Sequence, residues 1–169
     1  MLEKTCKVID SINSALGKTV SYATFAMALV MFAIVVLRYG FNVGWIAMQE
    51  SVMYLHAAVF LLGSAFTFQH NGHVRVDVFY RRFSERKKAQ VNLFGSLVFM
   101  LPVSLYIGII CYQYVLESWR LFEGSREPGG LPFVYILKSF LLVFAVSMAL
   151  QAISDIAQQS LKLLRGEHD

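Results

Sequence analysis

Four long apolar runs constrain this chain more than any other feature. The first lies within 19–41 and has no charge between Lys18 and Arg38. The second, 50–69, opens on Glu50 and carries His56 inside it. The third lies within 89–116 and is free of charge, and the fourth, 133–153, holds Lys138 near its start. Each covers a hydrocarbon layer of ~30 Å, which takes about 20 residues of helix. Helix is the form required, because lipid cannot satisfy the polar groups of an open backbone. The alternative of four buried helices in a soluble globule fails on composition: 57% of the residues are hydrophobic and 15% charged. That leaves too little polar surface to solvate such a globule. The expectation is an all-α integral membrane protein of four transmembrane helices, residues 1–169 forming a single domain.

Charge settles the expected orientation. With four spans, both termini and the middle loop share one side. Lys4, Lys7 and Lys18 precede the first span; Arg75, Arg81, Arg82, Arg86, Lys87 and Lys88 fill the middle loop; Lys162 and Arg165 follow the last. The other side carries Arg38, Arg120 and Arg126, with Lys138 at its margin. The excess of Lys and Arg therefore places the termini in the cytoplasm. Trp45 and Trp119 fall at the opposite headgroup level, where indoles concentrate. The net charge of +4 thus reflects topology rather than nucleic-acid binding, since the cations are split by apolar runs. Ahead of the first span, Leu2, Ile9, Ile12 and Leu16 recur at helical spacing opposite Glu3, Lys4, Lys7, Asp10 and Ser14. This predicts an N-terminal amphipathic helix lying on the interface.

Chemistry-bearing residues are few. An ionisable group inside a span is a functional candidate by default. Lys138 sits about five residues into its span, ~8 Å deep, within snorkelling reach of the interface. The sharper expectation pairs it with Glu50, at the same face and at a helix N-terminus that favours a carboxylate. His56 fits a packing role; a haem ligand would need a second histidine at its depth, and His70 and His73 lie at the far end of the same span. After that span, Gly72 is the expected exit from the helix. His73, Arg75 and Asp77 alternate with valines 74, 76 and 78, as suits a fixed corner at the membrane. The loop Arg126, Glu127, Pro128, Gly129, Gly130 fits a type II turn centred on Pro128 and Gly129, with Pro132 suited to the start of the next helix. Its mixed charges suit docking of a soluble partner. Cys6 and Cys111 lie too far apart in setting to suggest a disulfide framework. There is no nucleophile elbow, Walker A loop, dinucleotide fingerprint or zinc-protease motif. No catalytic residue, metal or cofactor is expected, and the chain is not expected to be an enzyme.

Several of these residues together resemble a known family. Glu50, Tyr54-Leu55, Gly63-Ser64-Ala65 and His73-Val74-Arg75-Val76-Asp77 resemble the DctQ-like small membrane subunit of tripartite ATP-independent periplasmic (TRAP) transporters. Glu127 to Pro132, then Lys138 and Gln151, resemble one branch of it. The resemblance implies an accessory subunit that scaffolds a large multi-spanning permease. That permease would carry sodium-coupled uptake of an organic acid delivered by a periplasmic binding protein. Gly63 with Ser64 and Ala65 would then permit close helix contact. The second reading is a haem-bearing or structural membrane anchor of an oxidoreductase. A stand-alone proton-coupled carrier would want an acidic residue deep in a span, and the sequence has none there.

Overall fold

The computed structural model describes residues 2–74 and 77–165, with Leu2, Glu3, Asp77 and Phe79 described in their backbone alone. Every regular element among them is helical: α1 (Leu2–Phe41), α2 (Ile46–Gln69), a one-turn α3 (Asp77–Tyr80), α4 (Glu85–Gly95), a π segment (Ser96–Met100), α5 (Leu101–Arg120) and α6 (Val134–Arg165). Four continuous rods are long and apolar enough to cross a membrane: α1, α2, the α4–π–α5 unit and α6.

The chain's first apolar run and its amphipathic arm form one rod. No proline interrupts the 40 residues of α1, which at 1.5 Å per residue reach ~60 Å, about twice a hydrocarbon layer. The arm is therefore helical, as its spacing requires, and joined to the span without a break. Its covered face is Cys6, Ile9, Asn13, Gly17 and Val20, while Ile12 stays exposed. α6 takes part in covering that face, because it carries a matching polar stripe. Along the span of α1, Tyr22 and Tyr39 are exposed at the two ends, with Phe25 and Phe32 exposed between them. The tyrosines are ~26 Å apart along the axis, the separation of two aromatic belts flanking lipid.

Both α2 and α5 end in the same hydrogen-bonded turn. At α2 the left-handed residue is Asn71 (φ 55). Asn71 donates to Phe68 O at 3.0 Å and Gly72 to Thr67 O at 2.8 Å. The exit expected at Gly72 thus begins one residue earlier, since asparagine tolerates this conformation. At α5 the position is taken by Phe122 (φ 44). Phe122 donates to Trp119 O at 3.3 Å and Glu123 to Ser118 O at 3.0 Å. A bulky residue in this region is a rare and strained choice. It fixes Glu123 directly over the end of α5.

The third rod is irregular at one place. Ser84 caps α4 by accepting from Lys87 N. The π segment then precedes Pro102, which has no N–H to give to the turn before it. A wider turn there accommodates the missing bond.

α6 is the central helix and packs against α1, α2, α4 and α5. Most of its buried residues are small, Ala145, Ser147, Ala149, Ala152 and Ser154, beside the two longer amides Gln151 and Gln159. Apolar burial gives little drive in lipid, so small residues that let backbones approach supply packing instead. Gly108 of α5 faces Ala145, where an added Cβ would lie 3.5 Å from it. Gly17 of α1 lies so close to the Phe66 ring of α2 that no side chain fits between them.

Candidate functional site: two polar clusters at opposite ends of α6

At the loop end, Glu50 in the first turns of α2 holds the loop that leads into α6. Its Oε1 accepts from Ser125 Oγ, and its Oε2 accepts from Leu131 N at 2.6 Å. The loop is knotted onto itself around this carboxylate. Ser125 N donates to Leu131 O at 2.9 Å and Gly130 N to Glu127 O at 3.0 Å. Gly129 has φ 79, so Pro128 and Gly129 form the turn their sequence suggests. A Cβ on Gly130 would strike the Ser125 side chain and come within 2.8 Å of Glu50 Oε1. Arg126, Glu127, Pro128 and Gly129 are exposed at the tip, and Gly130 is half-buried beneath them.

Lys138 does not pair with Glu50. It donates to Glu123 Oε2 and lies over the Tyr114 ring at 3.9 Å from its centroid. Ser118 Oγ donates to the same carboxylate oxygen at 2.8 Å. The bonded Lys138 ammonium, with the Ser118 hydroxyl, holds the Glu123 carboxyl below its ordinary value. The correction has a physical cause: the turn at Phe122 delivers Glu123 to Lys138, while the donors of the 125–131 loop saturate Glu50. Trp119 Nε1 donates to Ser139 Oγ at 2.7 Å, binding the same ends of α5 and α6 again.

At the basic end, the arm of α1 meets α6 through buried polar groups. Asn13 Nδ2 donates to Gln151 Oε1 at 2.7 Å. Asp10 accepts from Gln151 Nε2 at 3.1 Å, Ser154 Oγ at 2.9 Å and Gln158 Nε2 at 2.9 Å. Asp155, beside them, accepts from Ser96 Oγ of the π segment and from Gln159 Nε2 at 3.0 Å. Asn13 and Ser154 are wholly buried. Gln151 was visible as part of the resemblance, but the network around it was not. Its signal was there to read: Asp10, Asn13 and Gly17 recur at the same spacing as Gln151, Ser154 and Gln158, and each set makes one face of a helix.

The remaining expected residues stay apart from these clusters. Tyr54 lies one turn beyond Glu50; its hydroxyl is buried and has no hydrogen-bond partner among the described residues. His56 is exposed and stacks on Phe60 at 4.4 Å between centroids. Gly63 has no atom within 4 Å of where a Cβ would be, so it faces open space rather than a helix of this chain. His73 folds back on α2, its Nε2 3.3 Å from Ser64 O. Arg75 and the Asp77 side chain lie outside the described residues. No group of three or more His, Cys, Asp or Glu able to hold a metal occurs among the described residues.

Four apolar rods long enough to cross a membrane, tied at both ends by polar clusters, define a multi-pass membrane protein. Residues 27–162 match the family described as "Tripartite ATP-independent periplasmic transporters, DctQ component". The chain belongs to that family, as a TRAP transporter small permease subunit. A protein of Haemophilus influenzae described as a TRAP transporter small permease is 30% identical over 143 residues, covering 80% of this chain and 84% of the relative. No solved structure matches the chain. The family is one of transporter subunits, and membership gives no support to a haem-bearing anchor.

Proposed function

We propose that this chain, acting as one domain over residues 1–169, is the accessory subunit that holds a large multi-spanning permease subunit in the bacterial inner membrane. The large subunit would carry sodium-coupled uptake of an organic acid, and a periplasmic binding protein would deliver that acid. The excess of Lys and Arg on one side supports an orientation with both termini and the 70–88 corner in the cytoplasm and the 125–131 loop in the periplasm. In that position the exposed Arg126 and Glu127, on a turn held rigid by Glu50, offer a preformed docking surface for the binding protein.

The observation that carries the scaffold reading is one stripe of α2. Met53, His56, Phe60 and Gly63 follow one another at helical spacing, and Met53, His56 and Phe60 are exposed. Ionisable side chains within spans almost always face protein or a water-filled cavity. His56, near the middle of α2, is exposed and with Met53 lines a shallow groove against Met27 and Met31 of α1 that is open to the outside. A helix of the large subunit laid against this stripe would meet a hydrogen-bonding imidazole and, at Gly63, bare backbone.

The test is affinity purification of the tagged chain from its native membrane in mild detergent, with mass spectrometry of what accompanies it. A large multi-spanning permease at equal stoichiometry is the expected result. A redox partner with a haem absorption band, or no partner, would overturn the reading.

A further inference from the structure

We propose that the groove between the α4–π–α5 rod, α6 and the end of α2 binds one anionic phospholipid of a single leaflet. The groove has a volume of about 1420 Å³. Its chemistry is graded along its length. Arg81, Lys88 and Lys162 stand at the rim; Phe99, Val103, Ile107, Phe144 and Met148 line the foot. From Lys162 to Phe144 the helical rise is ~27 Å, one leaflet with its headgroup region and the reach of a lysine.

The groove's ends select the occupant. Past Ile107, α5 closes on α6 at Gly108 and Ala145, and stays closed through the Trp119–Ser139 hydrogen bond at the loop end. A transmembrane helix of another subunit needs a seat through both leaflets. This seat stops at the middle of the membrane, where a lipid tail stops. The irregular turn at Ser96–Met100 lines the groove between its rim and its foot, and Gly95 beside it faces open space.

Charge selects the headgroup. Arg82, Arg86 and Lys87 flank the rim and are exposed, and a basic cluster next to a span attracts anionic lipid. Three carboxylates also line the groove and balance its three lining cations, so the excess of positive charge at the rim comes from the flanking Arg82, Arg86 and Lys87. Glu85 pairs with Lys88 at 2.7 Å. Asp10 and Asp155 lie below the rim, each bonded to neighbouring amide and hydroxyl donors. In the orientation proposed above, the rim opens to the inner leaflet.

The experiment is native mass spectrometry of the purified subunit complex after exchange with either phosphatidylglycerol or phosphatidylcholine, large-subunit content being read from the same sample. The expected result is one phosphatidylglycerol retained per small subunit, in preference to phosphatidylcholine. Lys88→Gln with Lys162→Gln lowers that retention about thirtyfold, the effect of two cations near an anionic headgroup. Val103→Trp, filling the foot, lowers retention of both lipids while circular dichroism stays unchanged. Equal retention of the two lipids, or retention unchanged in both variants, overturns the proposal. Release of the large subunit by Val103→Trp without loss of lipid also overturns it and assigns the groove to a helix of that subunit.

Discussion

Glu50 and Leu131 stand 81 positions apart in the chain, yet the Leu131 N–H donates to the Glu50 carboxylate at 2.6 Å. One side chain at the head of α2 thereby fixes where the chain re-enters the membrane as α6. The loop's own bonds close its tip, from Glu127 to Gly130, and its base, from Ser125 to Leu131, but they do not tie it to α2. The carboxylate accepts from both flanks, through Ser125 and Leu131.

Replacing Glu50 with Ala strands the Ser125 hydroxyl and the Leu131 N–H in a half-buried site. The cost of an unmet partner is about 1–3 kcal/mol. The expected result is a loop that opens more often, read as trypsin cleavage after Arg126 that is faster by about fivefold to 150-fold, 1.4 kcal/mol being a factor of ten. Unchanged cleavage would mean that the loop is held by something other than Glu50.

The Glu123–Lys138 tie has a pH signature. The carboxyl is held below its ordinary value of 4.5, first by the Lys138 hydrogen bond and then by Ser118. Its folded form therefore binds a proton less readily than the unfolded chain does. The stabilisation is fully present above the unfolded carboxylate value and is lost as pH falls through the lower folded one. The difference in thermal midpoint between the native chain and Glu123→Gln should be constant above about pH 5.5 and shrink below 4.5. A difference that persisted unchanged at pH 3 would show that the pair is not the source.

The number, place and apolar character of the four rods were legible because lipid leaves so few alternatives. Ends and partners were less so. Lys138 was visible as a charge needing compensation, but two carboxylates lay within plausible reach. The choice between Glu50 and Glu123 turned on Phe122 adopting a left-handed backbone, which no propensity favours. Gly63 reads as a close-packing residue by its neighbours Ser64 and Ala65, and Ala65 is indeed fully buried. Gly63 itself, two residues away on a helix, points elsewhere. Gly17, the glycine that an aromatic ring presses upon, sits among polar residues and looked like part of a surface arm.

The network joining α1 to α6 should behave as a unit. Gln151→Leu strands the fully buried amide of Asn13 and removes one of the donors to Asp10. A loss of about 1–3 kcal/mol is expected, lowering the thermal midpoint in detergent by about 2–4 °C per kcal/mol. Asn13→Leu in the same chain should restore part of the loss, since replacing both partners leaves fewer unmet groups than replacing one. Additive losses in the double variant would show that the two side chains act independently.

The two glycines separate folding from assembly. Gly17→Leu drives a branched side chain into the Phe66 ring, where even a Cβ does not fit. Overpacking of this kind costs about 1–3 kcal/mol or more, so the isolated chain should melt earlier in detergent. A Cβ at Gly63 has nothing within 4 Å of it, so the melting of Gly63→Leu should stay close to that of the native protein. If the α2 stripe seats the large subunit, that same leucine holds the partner's backbone away, and copurification of the permease should fall sharply. Gly63→Ala, smaller by three carbons, should retain more of it. Full permease recovery with Gly63→Leu would move the interface off this stripe, whatever Gly17→Leu does to the fold.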